Sequence, residues 1–75
     1  MRTIDRVMEI LNEHPQGLTT ADLTRLVYPD IRDYEMDGRR SVIYGKLRGL
    51  EKYGMVSHTD PERRGGAKYV WTVNA

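Results

Sequence analysis

The spacing of hydrophobic residues predicts a helix at the start of the chain. Four apolar residues occur at i, i+3, i+4 and i+7 of a segment that covers residues 3–13: Ile4, Val7, Met8 and Leu11. Pro15 and Gly17 interrupt this periodicity and end the helix. A short extended piece at residues 17–18 is expected to add a strand edge.

A second, shorter helix is predicted over residues 20–27. Thr19 and Asp22 have the spacing of a capping box, in which the threonine hydroxyl accepts a hydrogen bond from a free backbone N–H of the first turn. The apolar residues expected to face inward are Leu23, Leu26 and Val27. Residues 28–38, rich in acidic side chains, are expected to form a loop with one helical turn.

The longest predicted helix runs from an N-cap at Asp37 to a glycine stop at Gly54. One stripe of a 3.6-residue period is apolar and is expected to be buried: Ile43, Leu47 and Leu50. The opposite sector holds small and basic residues: Ser41, Val42, Gly45, Arg48, Gly49 and Lys52.

Two glycines in this outer sector, Gly45 and Gly49, cost roughly 1 kcal/mol each relative to alanine in a helix interior. Close approach of the helix to another surface would offset that cost. The alternative is that both are tolerated surface glycines in a helix held by its buried face.

Two strands follow, predicted at residues 55–59 and 68–73. In the second strand Tyr69, Trp71 and Val73 lie on one side and alternate with Lys68, Val70 and Thr72 on the other, which is typical of a strand. Residues 60–66 between them have turn composition and a basic tip. The pattern predicts an α+β fold in a single domain covering residues 1–75.

Charge is divided unequally along the chain. Residues 1–37 hold four basic and eight acidic side chains, a net charge of −4, whereas residues 38–75 hold eight basic and three acidic ones, a net charge of +5. Such a division suggests that the second half faces a polyanion. No membrane-spanning run or signal peptide pattern is found, so a cytoplasmic location is expected, at the nucleoid if the chain binds DNA.

Metal, cofactor and catalytic sites are poorly supported. Asp33, Glu35 and Asp37 resemble the start of a calcium loop, but Glu35 and the later Tyr44 are unsuitable at their ligand positions. The chain has no cysteine and two distant histidines, which argues against zinc. Ser41 has no histidine near it in sequence, so no cofactor and no enzymatic activity are expected.

The order of these elements and their motifs resemble the winged helix-turn-helix family. Residues 47–56, LRGLEKYGMV, resemble the family's L-x-x-L-E-x-x-G-L-V junction, and residues 17–23, GLTTADL, resemble its entry to the second helix. Residues 69–73, YVWTV, match the aromatic second wing strand. The resemblance implies a three-helix winged helix-turn-helix with a small antiparallel β wing. The loop of about ten residues between helices 2 and 3 departs from the family's tight turn.

The resemblance also implies binding of double-stranded DNA, with helix 3 in the major groove and the wing on the backbone or in the minor groove. The helix positions that match are Arg39, Arg40, Ser41, Tyr44, Gly45 and Arg48, and the wing positions are Arg63, Arg64 and Lys68. Lys46 and Lys52 are expected to join Lys68 in neutralising phosphates. A small transcriptional regulator is the function that the resemblance implies.

Other functions remain open at this stage. Winged helices also serve as protein–protein interaction modules, and the loop at residues 28–38, with Tyr28, Ile31, Tyr34 and Met36 among its acidic residues, is a candidate partner contact. Structured RNA is a third partner that the sequence does not separate from DNA. The sequence likewise leaves open whether the chain forms a homodimer, as a symmetric DNA site would favour.

Overall fold

The computed structural model describes residues 2–63 and 68–74, which form three helices and three short strands. In chain order the elements are α1 (Thr3–Glu13), β1 (Leu18–Thr19), α2 (Thr20–Val27), one 3₁₀ turn (Asp33–Glu35), α3 (Met36–Lys52), β2 (Val56–Thr59) and β3 (Val70–Val73). The predicted α+β class and the predicted order of elements are confirmed. Within the described ranges no helix is long and apolar enough to cross a membrane.

The strands form one antiparallel sheet in the order β1-β3-β2. Trp71 at the centre of the sheet pairs with Leu18 on one side and with His58 on the other. The edge strand lies one residue later than predicted because Gly17 has a φ of +96°, which is outside the β region. A Cβ at Gly17 would lie 2.6 Å from Val70 Cγ1, so only glycine fits against β3 here.

All three helices, with β2 and β3, contribute to a single hydrophobic core. Its buried members are Val7, Ile10, Leu11, Leu23, Ile43, Leu47, Leu50, Val56 and Trp71. The side of β3 that carries Trp71 is packed against this core, and Tyr69 and Val73 lie half-buried at its edge. The alternation predicted for this strand is therefore confirmed.

The buried face of α2 differs from the prediction. Leu23 is fully buried and Val27 packs at the core edge, but Leu26 is 39% exposed. Thr20 and Thr24 occupy the buried positions instead. Both hydroxyls are hydrogen-bonded, so burying them leaves no polar group unpaired. The buried face of α2 is therefore centred on Thr20, Leu23 and Thr24, and Leu26 lies outside it.

The start of α3 is also earlier than predicted. Asp37 is not the N-cap: it lies in the first turn of a helix that begins at Met36, and the flanking Glu35 makes no side-chain capping bond. The 3₁₀ turn at Asp33–Glu35 leads directly into α3, and Met36 anchors the junction because it is buried. The single helical turn expected in the loop is confirmed by this 3₁₀ turn.

The end of α3 follows the prediction. Gly54 has a φ of +76°, and its N–H donates to the Glu51 carbonyl at 2.9 Å while the Met55 N–H donates to the Leu50 carbonyl at 3.0 Å. These two bonds form a Schellman motif, which satisfies carbonyls at the helix end. Because Met55 is used in this cap, β2 begins at Val56 and not at residue 55.

Candidate nucleic-acid interface

Helical geometry divides the exposed side of α3 into a central row and two flanks. At about 100° per residue, Gly38, Ser41, Gly45 and Gly49 fall within one narrow sector opposite the buried stripe. This set, the small-residue row, is mostly exposed. A Cβ built on any of its three glycines would meet no atom within 4 Å. Nothing in the fold therefore requires glycine at these positions.

The flank that faces hairpin β2–β3 carries Arg40 and Arg48, each in an ion pair one turn away. Arg40 contacts Asp37 at 2.9 Å, and Arg48 contacts Glu51 at 3.2 Å. The carboxylate of Asp37 is 90% exposed, and the Arg48 side chain is half-exposed. An exposed pair such as Arg40 with Asp37 contributes about 0–1 kcal/mol, so Arg40 can exchange its carboxylate for a phosphate at little cost. The carboxylate of Glu51 is only 26% exposed.

The opposite flank carries Arg39 and Lys46, which lie about 180° and 160° around the helix from Arg48. Arg39 stands over the ring of Tyr28, with the guanidinium carbon 5.1 Å from the ring centroid. In contrast to Arg40 and Arg48, it forms no ion pair within residues 2–63 and 68–74. The structure therefore separates the two adjacent arginines Arg39 and Arg40 onto different sides of α3.

Ser41 and Tyr44 are less available than the arginines. The Ser41 hydroxyl donates to the Asp37 carbonyl at 3.1 Å, and Ser41 lies beyond the first turn of α3, away from its free N–H groups. Tyr44 is half-buried, with its ring centroid 6.1 Å from Tyr69 and 6.2 Å from Trp71. It belongs to an aromatic cluster at the edge of the core as well as to the exposed flank.

The lysines predicted as phosphate neutralisers are exposed. Lys46, Lys52 and Lys68 form no ion pair with any described residue. Arg63 is exposed and closes a turn by donating its N–H to the Asp60 carbonyl at 3.2 Å. The predicted positions Arg64, Gly65 and Gly66 at the wing tip lie outside the described residues.

Glu51 and His58 join α3 to the hairpin, and neither was predicted as a site residue. One oxygen of Glu51 contacts Arg48 and the other contacts His58 Nδ1. The His58 ring stacks on Tyr69, with centroids 4.1 Å apart and planes inclined by 14°. The signal in the sequence for this contact is a glutamate just before the helix stop and a histidine on the strand that follows.

A shallow cleft of about 290 Å³ opens beside the α2–α3 loop. Its walls combine apolar and charged side chains: Val27, Tyr28, Pro29, Asp30, Ile31, Glu35 and Arg39. Tyr34 in the same loop is 79% exposed. Within the described part of the chain, no group of three or more His, Asp or Glu side chains is placed to hold a metal ion.

Comparison of the chain with protein-family models, with curated proteins and with solved structures finds no match. Its function must therefore be inferred from the placement of its own side chains.

Proposed function

We propose that this chain is a winged-helix protein that binds double-stranded DNA and acts as a small transcriptional regulator. In this proposal α3 enters the major groove, and the hairpin β2–β3 is the wing, which lies on the backbone or in the minor groove. The observation that carries the proposal is the outer surface of α3, where a row of small residues is bordered on both sides by basic ones.

This surface suits the dimensions of the major groove. A helix with its side chains is about 10–12 Å across, and the groove is about 12 Å wide. With the small-residue row toward the base edges, Arg48 and Lys46 point to opposite sides and can each reach one phosphate strand. Val42, 44% exposed beside the row, offers an apolar contact for a thymine methyl group.

Arg40 is the residue proposed to read bases. It projects about 140° around the helix from the small-residue row, so this role requires α3 to enter the groove with its N-terminal end foremost. Because Arg40 lies in the second turn of α3 and is held by an exposed carboxylate, it can then turn to the edge of a guanine. Arg63 and Lys68, on the connection between β2 and β3, supply the positive charge of the wing. Contacts of Arg63 and Lys68 with phosphates would strengthen binding to any DNA sequence, since phosphates carry no sequence information.

The test is an NMR titration of isotope-labelled protein with a mixed-sequence DNA duplex at low and near-physiological salt. We expect shifts concentrated in residues 39–52 and 62–68 that shrink as salt rises. An RNA duplex of the same sequence is expected to shift fewer signals, because the deep, narrow major groove of A-form RNA does not admit a helix. Absence of shifts even at low salt would overturn the proposal.

Arg48→Ala provides the sharper comparison, with Arg6→Ala as its matched control. Arg6 forms the same kind of i,i+3 ion pair, with Glu9 on α1, and is similarly exposed. We expect Arg48→Ala to weaken DNA binding by roughly fivefold to tenfold and Arg6→Ala to leave it unchanged. Equal affinities for the two variants would contradict the proposed face.

A protein–protein interaction module is the second candidate function, and the cleft beside the α2–α3 loop favours it. Tyr34, on the same loop but outside the cleft wall, is 79% exposed, and Arg39 in the cleft wall has no carboxylate partner among the described residues. Neutralising Arg48, Arg63 and Lys68, which do not line the cleft, would leave such a partner bound. Replacing Tyr34 with serine would weaken binding of the protein partner. The two functions are separated because DNA binding is expected to respond to the basic residues and partner binding to Tyr34.

A further inference from the structure

Glu51 is shared between a residue of the proposed DNA-binding face and a residue of the wing. Its Oε1 lies 3.2 Å from an Arg48 nitrogen, and its Oε2 contacts His58 Nδ1. The side chains of Glu51 and His58 are only 26% and 22% exposed. Arg48 and His58 therefore share one partly buried carboxylate, each through a different oxygen.

Packing fixes the His58 ring in this position. Tyr69 stacks on it, and the centroid of Trp71 lies 4.9 Å away. Among residues 2–63 and 68–74, the titratable and charged groups that face His58 are Glu51 on α3, with Arg48 behind it, and Tyr69 just before β3. The ring cannot swing to solvent without breaking these contacts, so a change in its charge acts directly on Glu51.

We propose that protonation of His58 releases Arg48 from Glu51 and thereby tightens the binding of DNA phosphates. The neutral ring donates its Nδ1 proton to Glu51, and a further proton from water enters at Nε2. Histidine is the side chain whose charge ordinarily changes between about pH 5 and 8. This inference rests on the DNA-binding function proposed above and makes Glu51 and His58 positioning residues for Arg48.

Two electrostatic effects act in the same direction. The imidazolium satisfies the charge of Glu51, which weakens the attraction that holds Arg48 on the helix surface. It also neutralises a carboxylate that would otherwise repel the phosphate approaching Arg48. DNA affinity is therefore expected to rise as pH falls, by roughly threefold to fivefold between about pH 8 and pH 5.5.

The experiment measures DNA affinity against pH for the full chain and three variants. His58→Phe keeps an aromatic ring on Tyr69 but cannot take a proton, so its profile is expected to be flat. Glu51→Gln frees Arg48 at every pH, and we expect tight binding at pH 8 with a smaller pH dependence. His14→Gln removes the other histidine of the chain, which caps α1, and should retain the full profile.

A DNA-free measurement separates this inference from the function on which it rests. In the free protein, the NMR signal of the Arg48 side-chain N–H is expected to move with pH in the wild type and to stay fixed in His58→Phe. A fixed signal in the wild type, or a pH profile unchanged by His58→Phe, would overturn the inference while DNA binding stands. Failure to bind DNA at any pH would overturn the proposed function and this inference together.

Discussion

The hydroxyl of Thr20 provides the hydrogen-bond acceptor for Trp71, the largest side chain of the core. Trp71 is fully buried, and its indole N–H donates to Thr20 Oγ1 at 2.8 Å. The neighbouring Thr24 hydroxyl is equally buried but donates to a backbone carbonyl, that of Thr20, at 2.7 Å. The two threonines therefore have different consequences if the hydroxyl is replaced by a methyl group.

Thr20→Val is expected to lower the free energy of unfolding by about 1–3 kcal/mol, because it leaves the buried Trp71 N–H without its acceptor. Thr24→Val is the matched control. It removes the hydroxyl that donates to the Thr20 carbonyl, but this carbonyl can keep its backbone hydrogen bond within the helix. The loss of unfolding free energy is therefore expected to stay below about 1 kcal/mol. Urea unfolding measures both. Equal losses for the two variants would show that the Trp71 bond contributes no more than an ordinary helix contact.

The same pair of threonines explains the error in predicting α2 from its sequence. Hydrophobic periodicity assigns Leu26 to the core and gives no weight to threonine. The core position belongs to Thr20 because Trp71, 51 residues later, needs a buried acceptor. Such a requirement comes from tertiary contact and leaves no trace in the local pattern.

At the scale of elements, boundaries that depend on local chemistry were predictable. Thr19 caps α2 by accepting from the Asp22 N–H at 3.1 Å, and Gly54 ends α3, both as expected. The start of α3 was not, because a 3₁₀ turn at Asp33–Glu35 joins the helix without a side-chain cap and displaces Asp37 from the N-cap. The contact of Glu51 with His58 is likewise not predictable from the sequence, because it depends on how the hairpin packs on α3.

The glycines of α3 provide a prediction in which stability and binding move in opposite directions. Gly45→Ala and Gly49→Ala should each raise the free energy of unfolding by about 0.5–1 kcal/mol, since the added Cβ meets no atom and alanine favours the helix. DNA affinity should fall in both variants if the helix backbone approaches the groove floor. Thermal unfolding and DNA titration measure the two effects separately.

Gly17→Ala is the contrasting control for the two helical glycines. Its φ of +96° and the 2.6 Å distance from the added Cβ to Val70 Cγ1 predict a loss of unfolding free energy of at least about 1–2 kcal/mol.

A stabilised Gly45→Ala variant that binds DNA as tightly as wild type would mean that the helix glycines are tolerated surface residues. That result would mean that the backbone of α3 does not approach the floor of the DNA groove closely.

For the whole molecule, the charge division of the sequence becomes a division between elements. The acidic first half forms α1, α2 and the loop that leads to α3, whereas the basic second half forms nearly all of α3 and the hairpin. Glu51 is the acidic residue in the part of α3 that belongs to the basic half, and its contacts with Arg48 and His58 offset its charge. A polyanion is thus expected to meet α3 and the hairpin and to avoid the acidic side.

The salt dependence of DNA binding tests this whole-molecule arrangement. Lys46→Ala and Lys52→Ala should each reduce the slope of log affinity against log salt by about 0.9, because each lysine that contacts a phosphate releases one counterion. The reduction should be the same for any DNA sequence, whereas Arg40→Ala should mainly weaken a preferred one. Arg2→Ala, at the start of α1, should change neither quantity. If Lys46→Ala leaves the slope unchanged while Arg48→Ala, on the opposite flank, reduces it, DNA contacts one flank of α3 and the helix does not sit between two phosphate strands.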